Sequence, residues 1–282
     1  MGLFNRSPVV PVLRFTGPIG MVTPLRPGVA LASVAGPIEK AFSLSKLPTV
    51  AVVVNSPGGS PVQSHLIFSR IRQLAKEKEK KVYVFCEDIA ASGGYFLALS
   101  GDEIYADPSS IVGSIGVISA GFGLDKFIER FGIERRVHSA GKDKGAHDPF
   151  QPERPEDVAR LKDLQREVHE VFIGIVKERR AGKLAGPEEE VFSGAFWSAA
   201  KAVEYGLIDG VADMRTRMQA LHGKKVRLKA VPMSAGGLLS RFRRLPGLQW
   251  SGGDGGYASG PSFADEVLST VEARALWSRF GL

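Results

Sequence analysis

Two apolar runs constrain this chain more than anything else in it. Residues 48–54 read Pro-Thr-Val-Ala-Val-Val-Val and residues 82–86 read Val-Tyr-Val-Phe-Cys. Neither run alternates with polar residues, so neither suits a strand with one wet face. Both call for a sheet covered on its two sides. The first run meets Asn55-Ser56-Pro57-Gly58-Gly59-Ser60, and residues 60–81 then follow helical spacing, with Leu66, Ile67, Ile71 and Leu74 on one face. Strand, glycine turn, helix, strand is the rhythm of an α/β fold with a mostly parallel sheet.

The same reading continues along the chain. A short helix is expected over 90–100, strands at 103–106 and 115–119, a helix over 124–131 and a strand at 134–138. Pro155 suits the first turn of a long helix reaching Arg180, whose apolar stripe is Val158, Leu161, Leu164, Val168, Phe172 and Ile175. Shorter elements are expected at 198–205 (helix), 207–209 (strand), 214–222 (helix) and 226–231 (strand). Beyond Val231 the pattern fails. Residues 251–261 are Gly-rich, and a short amphipathic helix is expected over 263–280. These signals divide the chain into a domain over 1–231, with its motifs in 48–213, and a basic extension over 232–282.

Composition excludes several classes. With 44% apolar and 24% charged residues among 282, the chain is neither disordered nor fibrous. No apolar stretch approaches the roughly 20 residues of a membrane span, and Pro8 and Pro11 interrupt the N-terminal apolar run. A cytoplasmic location is the expectation. Cys86 is the only cysteine, so no disulfide forms within the chain, and its apolar run marks it as a buried small hydrophobe.

Three loops at strand ends are dense in small residues: 55–60, Ala91-Ser92-Gly93-Gly94-Tyr95, and Gly113-Ser114-Ile115-Gly116. Taken singly, each could be a simple turn or a helix cap. None carries the dinucleotide pattern or the Gly-Lys-Ser/Thr ending of a phosphate loop, and Ser92 is not in Gly-x-Ser-x-Gly.

Together they resemble something specific. NSPGGS, DIAASGGYFLA, GSIGV and SAGKDKGAHDPF, in that order, resemble the signal peptide peptidase A family, and most of all its short SohB-like members. The likeness runs from Val50 to Asp213 and includes the later stretch from Arg179. It implies a ClpP/crotonase-type fold of repeated ββα units and a serine peptidase with a Ser–Lys dyad. Position by position it implies Ser92 as nucleophile, Lys144 as general base and Ser114 as the residue orienting that base. Gly93 and the Gly58-Gly59 turn would form the oxyanion hole, and a groove near Tyr95, Phe96 and Ile115 would take apolar peptide.

The chemistry agrees with that cast. A serine hydroxyl needs a base, and lysine serves only when its pKa falls roughly 2–3 units from its usual ~10.4, as burial can achieve. Lys142 is a local rival, and Asp143 between the two lysines would oppose the function unless its side chain points away. A Ser–His–Asp triad is disfavoured because residues 120–126, where a Clp-type histidine would fall, hold none. A crotonase-type acyl-CoA hydratase or a non-catalytic assembly protein on the same fold are the alternatives. The dyad needs no metal or organic cofactor. The family likeness further implies substrates such as signal-peptide remnants or small membrane-derived peptides. It also implies a ring-shaped homo-oligomer in which neighbours share active sites.

The net charge of +7 sits in one place. Residues 1–213 hold 26 basic and 26 acidic side chains, whereas residues 214–253 hold nine basic and no acidic ones. A neutral catalytic region argues against nucleic acid as a partner. The interleaved Leu238-Leu239-Ser240-Arg241-Phe242-Arg243-Arg244-Leu245 stretch would suit peripheral contact with an anionic membrane surface.

Overall fold

The computed structural model describes residues 7–20, 28–233, 271 and 274–282. In chain order the elements are β1 (Val9–Thr16), α1 (Leu31–Ser43), β2 (Thr49–Ser56), α2 (Pro61–Glu77), β3 (Lys81–Ala91), α3 (Gly93–Ala98), β4 (Glu103–Ala106) and β5 (Ile111–Gly113). They continue with α4 (Asp125–Arg130), α5 (Pro155–Arg179), α6 (Glu188–Val191), β6 (Phe196–Ser198), α7 (Ala199–Glu204), β7 (Gly210–Val211), α8 (Met214–His222) and β8 (Arg227–Ala230).

The eight strands form one sheet with the order β6-β5-β3-β2-β1-β8, and β4 and β7 branch from β3. Every pairing is parallel except β5 with β6. The apolar runs take the covered central strands, as expected. Val50, Val52 and Val54 of β2 pack with Leu13, Phe15, Val82 and Val84 beneath α1 and α2. The alternate residues Ala51 and Val53 join Tyr83 and Phe85 against Met218 of α8 on the other face. Burying a side chain of this size contributes roughly 1.5–3 kcal/mol, so the two faces of β2 and β3 supply much of the driving force.

β3 changes partner along its length. Tyr83–Cys86 pair with β4, and Ile89–Ala91 pair with β5. Beneath the second half, Phe280 of the C-terminal turn packs against Ile89 and Ala91. Cys86 lies in the buried first half, where burial pushes its thiol up to about 12.

Several expectations are corrected. Sequence patterning marked no element before Pro48, yet β1 and α1 are present. Prolines 8 and 11 masked β1, although Pro11 sits within the strand opposite Lys229 of β8. The segments 115–119 and 134–138 form no strand among the described residues, because nothing lies beside them to accept a ladder. The strand expected at 207–209 falls instead at Gly210–Val211. Leu66 is 40% exposed, while Ile67, Ile71 and Leu74 are buried as expected. The basic stretch 238–245 and the Gly-rich 251–261 lie outside the described residues. No described helix is long and apolar enough to cross a membrane.

A buried polar knot ties the later segments to the sheet. The Arg180 guanidinium, 2% exposed, donates to the Gly206 carbonyl at 2.7 Å and to Asp209 at 2.8 Å. Asp209 also accepts from Lys183 and from the Ile104 N–H that opens β4. Tyr95 donates its buried hydroxyl to the Leu207 carbonyl at 2.7 Å. Burial alone would raise the Asp209 carboxyl, but the Arg180, Lys183 and Ile104 hydrogen bonds outweigh it and hold the pKa below its ordinary value.

Asp209→Ala strands a buried guanidinium and should cost about 3 kcal/mol or more in urea unfolding. In the native protein the stabilisation from this carboxylate is complete above the ordinary aspartate range of about 4. It fades as pH falls through the depressed folded value. The Asp209→Ala variant should therefore lose the corresponding acid limb of its stability–pH curve; an unchanged limb would exclude this knot as its source.

Candidate active site

The site is built where β3 and β5 end side by side. The register pairs Ala91 with Gly113, so Ser92 and Ser114 leave adjacent parallel strands at matched positions, roughly 5 Å apart in backbone spacing. The Ser92 N–H donates to the Gly113 carbonyl at 2.8 Å, and the Ser114 N–H donates to the Ala195 carbonyl at 2.7 Å. Both serines have φ of 52°, and Ser92 has ψ of −122°. A non-glycine residue in such a conformation costs on the order of 1–3 kcal/mol, and the flanking strands and α3 hold it there. The turn at Ser92 is sharp because α3 begins at the next residue. Among the described residues neither serine hydroxyl has a hydrogen-bond partner.

The NSPGGS turn lies directly over Ser92. Gly58 has φ of +107°, and a Cβ there would come within 2.8 Å of the Ser92 Cβ and 2.9 Å of the Gly93 nitrogen. Gly59 has φ of +140°, and a Cβ there would strike the Ile19 carbonyl at 2.1 Å. Only glycine fits either place. The Gly58 N–H is taken by Ser56 Oγ at 3.2 Å. The Gly59 N–H has no acceptor among the described residues, and its nitrogen lies 3.3 Å from where a Gly93 Cβ would be. Gly93 is the first residue of α3, so its N–H has no partner within the helix. The turn and the helix start thus bring two unused amides, those of Gly59 and Gly93, beside Ser92. Of the three expected donors, Gly58 instead shapes the turn.

Ser92 and Gly93 open onto an apolar cavity of about 240 Å³. Val62, His65 and Leu66 of α2 form one wall, and Val168, Val171 and Phe172 of α5 form the opposite one. Phe96 lines it, as does Val117 from the segment after Ser114. Two expected groove residues do not. Tyr95 is fully buried, its hydroxyl spent on Leu207, and burial raises its pKa. Ile115 is likewise fully buried in the core. Sequence reasoning missed the α5 wall because Val168 and Phe172 read as an ordinary core stripe. The signal that could have found it is Val171, which widens that stripe beyond what packing in the core needs and is 58% exposed.

Lys144 stands apart. It lies exposed in a turn whose Lys144 N–H donates to the Gly141 carbonyl at 3.2 Å. Its ammonium makes no hydrogen bond or ion pair among the described residues, and it does not line the cavity. Lys142 is also exposed. Asp143 is engaged by Arg160 of α5 at 3.1 Å. The chain therefore brings together Ser92, Ser114, Gly58, Gly59 and Gly93, but not Lys144. The arm that bears the lysine, residues 118–150, exposes large apolar side chains: Phe122 is 85% exposed and Phe131 is 63% exposed, with the Phe127 ring tilted against the Phe131 ring at 5.0 Å between centroids.

Comparison with known proteins gives this geometry a context. The profile of peptidase family S49 matches residues 74–227. A Brucella abortus protein named Na(+)/H(+) antiporter NhaA is 52% identical over 278 residues, which are 97% of this chain and 37% of that protein. The chloroplastic serine protease SPPA of Arabidopsis thaliana is 31% identical over 72% of this chain and 32% of its own length. A putative protease SohB of Buchnera aphidicola subsp. Baizongia pistaciae is 30% identical over 49% of this chain and 40% of its own length. The chain spans between 32% and 60% of the length of these and similar curated relatives.

Gly58→Ala should push on Ser92 through its new methyl group. We expect a stability loss of about 1–3 kcal/mol, together with displacement of Ser92. Thermal unfolding and the rate of labelling by a serine-directed phosphonate measure the two effects; wild-type values for both would refute the packing described here.

Proposed function

Since the chain belongs to peptidase family S49, we propose that it is a serine endopeptidase that cleaves peptides through an acyl-enzyme formed on Ser92. The observation that carries this reading is the strained Ser92 beside the Gly59 and Gly93 amides, at the mouth of an apolar cavity. A peptide carbonyl held against those amides places its carbon next to the Ser92 hydroxyl. A neutral lysine, Lys144, takes the hydroxyl proton as the oxygen attacks. The two N–H groups stabilise the oxyanion, one such donor being worth about 3 kcal/mol. The leaving amine departs with the proton from the lysine, and water then releases the acyl group by the same route. Ser114, at the matched strand end, accepts from the lysine and orients it.

The cavity supports an apolar peptide as substrate. Its lining is apolar apart from His65 and Ser92, so it suits a single medium-sized apolar side chain next to the cleaved bond. Peptides such as signal-peptide remnants or fragments of membrane proteins present such residues freely. A relative from Enterococcus faecium carries the name putative signal peptide peptidase SppA.

The exposed position of Lys144 supports a shared site. A lysine acts as a base once burial desolvates it, and an exposed turn supplies no such burial within one chain. The arm's Phe122, Phe127, Phe131 and Ile133 form an apolar surface of the kind that marks an interaction site. A second copy packed on that arm would bury these side chains and carry Lys144 to the Ser92 of its neighbour. The active protein in this reading is a homo-oligomer.

Cleavage of an apolar peptide should be abolished by Ser92→Ala and by Lys144→Ala, and retained by Lys142→Ala. The rate should rise with pH as the lysine loses its proton. Mixed Ser92→Ala and Lys144→Ala chains should regain activity if sites are shared. Activity that survives Ser92→Ala would end the reading, and a fully active monomer in sedimentation would end the shared site.

A further inference from the structure

We propose that His169 is a positioning residue, holding the Ser114–Val117 segment against α5 and thereby fixing both Ser114 and one wall of the cavity. The ring Nε2 of His169 lies 2.9 Å from the Ile115 carbonyl. A carbonyl only accepts, so Nε2 carries the proton and donates. The two ends of this segment are thus anchored differently. At Ser114 the backbone N–H is held by the Ala195 carbonyl, and one residue later the Ile115 carbonyl is held by a side chain from a helix 54 positions away.

The consequence follows from what lies on either side. Just before the anchor is Ser114, at φ of 52°, a strained conformation that relaxes unless its neighbours hold it. Just after it are Gly116 and Val117, which line the cavity together with Val168, Val171 and Phe172. Val168 and Phe172 flank His169 on the same helix, so one hydrogen bond ties residues 116–117 to the α5 wall. Ile115 itself is fully buried and Phe172 nearly so, which leaves the segment little other freedom. The role rests on the reading of Ser92 and Ser114 given above, and it adds a residue that touches neither substrate nor nucleophile.

The test compares His169→Ala, His169→Asn and His169→Gln on peptides with leucine or alanine before the cleaved bond. The Gln amide nitrogen reaches the Nε2 position, whereas the Asn amide is too short. We expect kcat/KM to fall about tenfold in Ala and Asn, the factor carried by one hydrogen bond of ~1.4 kcal/mol, and to stay within about threefold in Gln. Preference for leucine over alanine should weaken in Ala and Asn alone. The Ser114→Ala/His169→Ala double variant should be no slower in kcat than Ser114→Ala, because both losses act through one group. A His169→Ala enzyme with wild-type rate and preference overturns the proposal, as do a Gln variant as impaired as Ala and losses that multiply in the double variant. If the Ala variant fails to fold, the Gln and Asn pair decides the same question. Cleavage that survives Ser92→Ala removes the peptidase reading itself, whereas cleavage that needs Ser92 and ignores His169 overturns the positioning role alone.

Discussion

The divided pairing of β3 is the constraint on which the rest depends. One strand serves β4 with its first half and β5 with its second, beside a ladder to β2 that runs from Lys81 to Cys86 and resumes at Ala90 after an irregularity. That arrangement ends β3 and β5 at the same level and sets two serines next to each other. A slip of one residue would turn the apolar side chains of β3 to the wrong faces, so burial on both sides of the sheet fixes the register that the chemistry uses.

Strain and close packing are concentrated at this point and compensated elsewhere. Ser92 and Ser114 occupy conformations that serine avoids, and Gly58 approaches Ser92 more closely than any side chain would allow. Holding such a geometry needs a rigid surround. The Arg180–Asp209 knot supplies part of it by binding the end of α5 to the 206–209 turn and the start of β4. Tyr95, two residues into α3, adds a bond to the same turn, so the helix that starts after Ser92 is tied to residues more than a hundred positions later.

Much of this was legible in the residues. The valine runs fixed the two central strands because their covered faces leave no other place for them, and the small-residue loops fell at the strand ends where a site forms. Other parts were hidden for physical reasons. Pro11 concealed β1 because proline usually marks the end of a strand, yet here the ladder to β2 begins one residue later, at Val12, and Pro11 keeps its place opposite Lys229 of β8. Residues 115–119 and 134–138 have strand-like composition but no neighbouring strand, and composition cannot supply one. Tyr95 beside the nucleophile suggested contact with substrate, but a helix turns its successive side chains about 100° apart, so Tyr95 enters the core while Phe96 meets the cavity. Lys144 sits in an exposed turn away from the cavity, and a placement of that kind has no trace in the chain's periodicity.

The lone thiol has a use beyond packing. Cys86 lies in β3 six residues before Ser92, buried, with its ionisation pushed up to about 12 by that burial. Burial and a protonated thiol both slow its reagents, and opening of the strand relieves both. Its modification rate is therefore an internal clock for the opening of the very strand that presents Ser92. With no second cysteine to compete, that clock can be read without altering the sequence.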